Sequence, residues 1–188
     1  MSILQRFTRR MLGKLFTSVA ILRYRLMGPP NVLLYGTARN TAILRAFGAK
    51  VGDNVRILSP LIMTSVQEFN GYHHLTIGNN CILGGNVFLD LRARIHLSDT
   101  VNLGPGVIIM THNRYNKNPF LEERMANSCG VGDVVLKEGA SIKAGALIVH
   151  GITVGRNAVV AGNAVVNHDV PDCHFVGGVP AKTIKVLE

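Results

Sequence analysis

Residues 130–171 read GVGDVV LKEGAS IKAGAL IVHGIT VGRNAV VAGNAV VNHDVP, seven hexapeptides in unbroken succession. Their first positions are Gly130, Leu136, Ile142, Ile148, Val154, Val160 and Val166, and all but the first are branched aliphatics. Their fifth positions are Val134, Ala140, Ala146, Ile152, Ala158, Ala164 and Val170, all small or β-branched. A period of six fits the two-residue alternation of a strand and misses the ~3.6-residue stripe of a helix. Short strands separated by corners answer this pattern. Three such strands make one coil of eighteen residues, with the first-position aliphatic turned inward and the small fifth-position residue at a tight corner. Coils stacked at about 4.8 Å satisfy each other's backbone polar groups. The expected fold class is an all-β solenoid, a parallel β-helix.

Upstream the same pattern begins at Val51 and Ile57, breaks over 64–74, and resumes at Ile77, Leu83 and Leu89. A two-residue slip near Ile95 resets the phase to Leu97, Leu103 and Ile109. Slips of this kind belong at corners. From Tyr115 to Cys129 the pattern fails, over a polar stretch containing Pro119. This reads as an excursion loop of about 113–129 on a rigid scaffold, where function is often carried. Before the repeats, Ile3, Leu4, Phe7, Met11, Leu15 and Val19 recur at helical spacing, with Arg6, Arg9, Arg10 and Lys14 among them. They predict an amphipathic helix over 3–27, ended by Gly28-Pro29-Pro30. A second short helix is expected over Thr41–Phe47, capping the open end of the solenoid. The division expected is 1–50 for the helices, 51–171 for the repeats with their loop, and 172–188 for a closing segment.

The net charge of +9 is unevenly placed. Nine of the twenty basic residues precede Asp53, the first acid, which leaves eleven against eleven acids in the rest. A neutral solenoid argues against a nucleic-acid groove along it, and a basic leader favours an anionic surface met by the leader alone. Residues 1–29 carry six basic residues and no acid. A helix of this kind over 3–27 can associate peripherally with an anionic membrane, or it can simply pack on the solenoid or a neighbouring subunit. A twin-arginine export signal over Thr8-Arg9-Arg10-Met11-Leu12 is set aside. The apolar run Leu15–Leu22 is short, Arg23 and Arg25 follow at once, and no small-residue cleavage site appears. Three cysteines define no disulfide framework, and Cys81 at a fifth position reads as a packed, inert thiol. A reducing, cytoplasmic setting is expected.

The repeat, the approach Leu103-Gly104-Pro105-Gly106-Val107 to Thr111-His112, the excursion after it, and the ending Asn167-His168-Asp169-Val170-Pro171 followed by Gly177-Gly178-Val179-Pro180-Ala181-Lys182 together resemble the hexapeptide-repeat acyltransferases. The likeness is to maltose and galactoside acetyltransferases and to capsular or exopolysaccharide O-acetyltransferases, over roughly residues 45–186. The resemblance implies a left-handed winding, a homotrimer, acetyl-CoA as co-substrate and a sugar or glycan hydroxyl as acceptor. It implies His112 as the catalytic base, and a histidine, which ordinarily titrates near neutral pH, suits removal of a hydroxyl proton. Because acetyl-CoA is already an activated thioester, the transfer is expected to be direct. The relatives' acceptor-orienting Asn falls near Leu83 or Gly84, so this chain departs from that pattern. Asn86 is the nearest candidate, with a plain corner Asn as the alternative. Asp90 is a candidate for touching a sugar hydroxyl. Glu122 and Glu123 either orient His112 or solvate the loop. Carried over by position, CoA contacts fall at Ala144, Gly162 and Asn167, and its phosphates meet Lys182 and Lys185.

Alternatives are an N-acetyltransferase acting on an amino sugar nucleotide and a non-catalytic structural or binding solenoid. The zinc anhydrases that share this solenoid use a pair of histidines five residues apart. Histidines here stand at 73, 74, 96, 112, 150, 168 and 174, with no such pair, so no metal site is expected. His150 and His168, eighteen apart, read as a surface ladder on adjacent coils.

Overall fold

The computed structural model of the chain describes residues 3–113, 118–125 and 130–188, and of residues 3–10 and of Glu122 the backbone alone. The chain opens with α1 (Ile3–Met27), β1 (Val32–Leu33) and α2 (Thr37–Ala46). The first coil is β2 (Lys50–Val51), β3 (Arg56–Ile57) and β4 (Leu61–Thr64), and the second β5 (Leu75–Ile77), β6 (Ile82–Leu83) and β7 (Val87–Asp90). The third is β8 (Ile95–Leu97), β9 (Asn102–Leu103) and β10 (Ile108–Ile109). There the chain departs through β11 (His112–Asn113), α3 (Pro119–Met125) and β12 (Gly130–Val131). The fourth coil is β13 (Val134–Leu136), β14 (Ser141–Ile142) and β15 (Leu147–Ile148), and the fifth β16 (Thr153–Val154), β17 (Val159–Val160) and β18 (Val165–Val166). A terminal hairpin of β19 (His174–Gly177) and β20 (Lys182–Val186) follows.

Each coil contributes one strand to each of three sheets, ordered β1-β4-β7-β10-β15-β18, β16-β13-β8-β5-β2 and β20-β19-β17-β14-β9-β6-β3. Pairing between coils is parallel throughout, and β1 and β20 join the sheets antiparallel. The repeat's first-position aliphatics Leu136, Ile142, Ile148, Val154, Val160 and Val166 are all buried in one core with Ile57, Leu83, Leu89, Leu103 and Ile109. Each fully buried aliphatic contributes roughly 1.5–3 kcal/mol of transfer free energy. The fifth-position residues Ala140, Ala146, Ala158 and Ala164 are buried as well, and so is Cys81. Asn54, Asn80, Asn86, Asn157 and Asn163 turn corners at positive φ, a conformation that asparagine tolerates better than most side chains. At Gly104 the coils approach closely, since an ideal Cβ there would stand 2.6 Å from the backbone nitrogen of Ala144.

Two helices depart from the sequence expectation. α2 begins four residues earlier than Thr41, and Asn40 within it is a buried tie. Its Nδ2 donates to the Tyr35 carbonyl at 2.7 Å and to Ser59 Oγ at 2.9 Å. Ile43 and Leu44 of α2, with Leu33 of β1, then close the first-coil end of the core. Within the excursion, Asn118 caps α3 through its Oδ1, which accepts from Leu121 N at 3.3 Å, and Pro119 takes the first helical position. The parts of the expected loop at 114–117 and 126–129 lie outside the described residues.

The irregularities share one corner. The break at 65–74 follows β4, the two extra residues follow β7, and the excursion follows β10, all in the same sheet and in register at Met63, Leu89 and Ile109. A chain that keeps its repeat on two corners and breaks it on the third concentrates non-periodic side chains there.

Candidate active site

At that corner three successive coils meet on one carboxylate. Asp90 closes β7 and is fully buried. From the coil before, Thr64 Oγ1 donates to Asp90 Oδ1 at 3.1 Å and Ser65 Oγ does so at 3.3 Å. From the coil after, the backbone N–H groups of Thr111 and His112 donate to Oδ2 at 2.9 and 3.1 Å. The Thr111 hydroxyl lies 3.0 Å from Oδ2 and 2.8 Å from the Asp90 carbonyl, and it accepts the Ala93 N–H at 2.9 Å. Finally, His112 Nδ1 lies 2.5 Å from Oδ2. Burial alone would raise the Asp90 pKa, but the bonds from His112 and Thr111 outweigh it and hold the carboxyl below the usual aspartate value.

An ionised carboxylate only accepts, so His112 Nδ1 carries the proton in this bond. Nε2 is then left with its lone pair, on a side chain about one-third exposed. Asp90 thereby fixes the ring's tautomer and its orientation, and its charge offsets that of an imidazolium. The arrangement can accept a proton from a group placed at Nε2 and return it. His112 also opens β11, which pairs antiparallel with β12 as the neck of the excursion, so its backbone is held on both sides. A cavity of about 370 Å³ at this neck is lined by Met110, His112, Asn113, Val149 and His150.

Asp90 is therefore corrected from its expected role: a fully buried carboxylate that binds His112 cannot also touch a sugar hydroxyl. Sequence periodicity missed this, although the two-residue slip near Ile95 falls in the same turn between β7 and β8. Glu123 pairs with Arg124 at 3.1 Å on the exposed face of α3 and does not orient His112, and the Glu122 side chain lies outside the described residues. His150, read from spacing as part of a surface ladder, also lines the cavity beside His112, with its ring against Gly130.

Asn86, Ala144 and Gly162 lie at a different corner, the one that precedes the strands of the same sheet, whereas Asn167 follows β18 on the His112 side and Lys182 and Lys185 belong to the terminal hairpin. Asn86 stands there before β7, with the left-handed backbone of a turn, and within the chain it is separated from His112 by the width of that sheet. Ala144 and Gly162 stack there on adjacent coils. Asn163 N donates to the Ala144 carbonyl at 3.0 Å, and an ideal Cβ on Gly162 would lie 3.2 Å from the same oxygen. Both are exposed, so the backbone at this corner is open to approach. Asn167 bonds His168 Nδ1 at 2.9 Å on the exposed surface. In the terminal hairpin, a bulge at Ile184 sets Lys185 opposite Phe175 and Lys182 opposite Gly177. Partners two apart share a face, so both exposed lysines project from the same side.

A repeat scaffold whose one irregular corner holds a carboxylate-oriented imidazole has the geometry to transfer a proton. The chain is 32% identical to a chloramphenicol acetyltransferase of Agrobacterium fabrum over 151 residues, 69% of each chain. It overlays on a hexapeptide-repeat acetyltransferase of Vibrio cholerae with a TM-score of 0.70 and 25% identity, covering 92% of this chain and 91% of that one. The acetyl-coenzyme A complex of that protein gives 0.68 at 26% identity, over 80% and 78% of the two chains. A maltose O-acetyltransferase of Clostridium difficile shares the fold, with a TM-score of 0.67 at 24% identity over 92% and 85%. No family model matches the chain. The chain belongs to the hexapeptide-repeat acetyltransferases.

Proposed function

We propose that this protein moves the acetyl group of acetyl-CoA to a hydroxyl of a sugar, on a polysaccharide, its repeat unit or a precursor. The observation that carries the reading is the Asp90–His112 pair, an imidazole oriented through Nδ1 so that Nε2 can take a proton. The acceptor hydroxyl gives its proton to His112 Nε2 as its oxygen attacks the thioester carbonyl, forming the new C–O bond. The tetrahedral adduct then expels the CoA sulfur, the C–S bond breaks, and the thiolate takes the proton from Nε2. No covalent acyl-enzyme is needed, and holding the two substrates together supplies much of the remaining acceleration.

The CoA-binding residues under this reading are Ala144, Gly162 and Asn167, with Lys182 and Lys185 for its phosphates. The exposed Ala144–Gly162 stack fits such a ligand, because a larger side chain on either would fill the approach to the backbone. Ala144, Gly162 and Asn86 share one corner, and His112 occupies another. A closed trimer that sets the His112 corner of one copy against the small-residue corner of the next unites them, so we read the enzyme as a left-handed prism assembled in threes. Light scattering is expected to give three times the chain mass, and a fully active monomer contradicts the arrangement. We place the enzyme in the cytoplasm, where acetyl-CoA is made. Mass spectrometry of an acceptor panel incubated with acetyl-CoA tests the reaction. Acetyl groups on sugar hydroxyls, labile to mild base, are expected. Base-stable acetyl on an amino sugar nucleotide would move the assignment to N-acetyl transfer, and no transfer to any acceptor would leave a binding solenoid.

A further inference from the structure

α1 packs the wrong way round for a helix that only completes a core. At about 100° per residue, Met11, Leu22, Leu15, Leu26, Val19, Leu12, Phe16 and Met27 fall within an arc of about 160°. Every one of the eight is exposed, from 50% at Leu12 to 82% at Leu26. The opposite arc carries Gly13, Thr17, Ile21 and Tyr24, and it is this side that meets the fold. Ile21 and Tyr24 pack on the core, the Tyr24 and Tyr35 hydroxyls lie 3.2 Å apart, and Gly13, Lys14, Thr17 and Ser18 face the start of α2 across a groove of about 870 Å³. The small and polar side is turned inward, and the continuous apolar side outward.

We propose that the outward face of α1 seats the protein on an anionic bilayer surface. Charge favours this occupant over the leader of a second copy. Residues 1–29 carry six cations and no acid, and the chain has no acid before Asp53, so two such leaders brought face to face would set like charges together. Lys14 and Arg25 border the apolar arc on its Met11 edge, and Arg23 rises within it, where a long stem buries along apolar surface while its head reaches phosphate level. An anionic lipid surface offers apolar depth to the arc and counter-charge to its rim. No described helix is long and apolar enough to cross a membrane, so the contact is peripheral. The inference rests on α1 alone and does not depend on which acceptor is acetylated.

The test is flotation of the full-length protein with vesicles of phosphatidylcholine alone and of phosphatidylcholine with about 30% phosphatidylglycerol, at low and high salt. Leu15→Glu/Phe16→Glu, both on the exposed arc, is compared with the parent, and the mass of each is measured by light scattering. Expected results are flotation with the anionic vesicles only, a loss of at least about tenfold in bound fraction at high salt, and no flotation of the double variant at unchanged mass and unchanged acetyl transfer. Three outcomes overturn the proposal: no binding at low salt, equal binding of parent and variant, or a variant whose mass drops, which would make the face a contact between copies.

Discussion

Replacing Asp90 by Asn removes one charge from the His112 corner and almost nothing else. Three N–H groups, from the Thr111 and His112 backbones and from His112 Nδ1, converge on Oδ2. The amide must therefore put its oxygen there and turn its NH₂ toward the Thr64 and Ser65 hydroxyls, which can accept. The Nδ1–H tautomer survives, and with it the lone pair on Nε2. What disappears is the charge-assisted character of the bond to the ring. Hydrogen bonds to charged groups contribute ~1.5–3 kcal/mol, and neutral ones ~0.5–1.5. The difference of ~1–2 kcal/mol falls on the step in which the imidazole becomes cationic, and at ~1.36 kcal/mol per decade it is roughly a five- to thirtyfold loss of kcat. KM for acetyl-CoA is expected to be unchanged, since Asp90 is buried beneath the ring. Steady-state kinetics of Asp90→Asn, on protein shown by circular dichroism to be folded, provides the assay. Full turnover in the variant, or a loss residing wholly in KM for acetyl-CoA, refutes the assignment of Asp90 as the residue that positions His112.

The same carboxylate couples stability to pH. Its folded pKa lies below the ordinary value, so its contribution is fully present above that value and is lost as pH falls through the depressed one. The stability advantage of the parent over Asp90→Asn in urea titrations is therefore expected to shrink below about pH 4. Gly104→Ala is expected to cost ~1–3 kcal/mol in the same titration, because the new methyl meets the backbone of Lys143 and Ala144 at 2.6–3.1 Å. Cys81 is buried, its thiol is pushed up by desolvation, and its Sγ lies 3.1 Å from the Ser98 carbonyl. It is expected to stay unlabelled by a thiol reagent at pH 8 until denaturant is added, as mass mapping of the labelled peptide will show.

The repeat was legible because its rule is simple: an inward aliphatic every sixth residue leaves a mark that survives corners and slips. The same rule is silent about Asp90. It fixes which residues point inward along a strand, whereas Asp90 lies at the strand's end, next to the buried Leu89, where two consecutive buried positions break the alternation. The two-residue slip after it was visible but carried no chemistry until Thr64, Ser65 and Thr111 converged on the carboxylate. His112 was found through the family likeness, and the structure supplied its partner. The place of His150 beside the neck was not legible, because an eighteen-residue spacing gives stacking between coils without saying that the neck of the excursion stands beside it. α1 illustrates a further limit. Spacing reveals an apolar stripe, but which side of a helix meets the fold is set by what it packs against, here the start of α2.

His112→Ala measured against acetyl-CoA is the most direct test of the account. Thiol release in the presence of an acceptor sugar with its hydroxyls free gives turnover, and calorimetric titration with CoA gives affinity. With the proton acceptor removed and the CoA-binding residues untouched, turnover is expected to fall at least about a hundredfold while CoA affinity stays within a factor of two or so. Turnover near that of the parent protein would remove His112 from the chemistry and contradict the account at its centre.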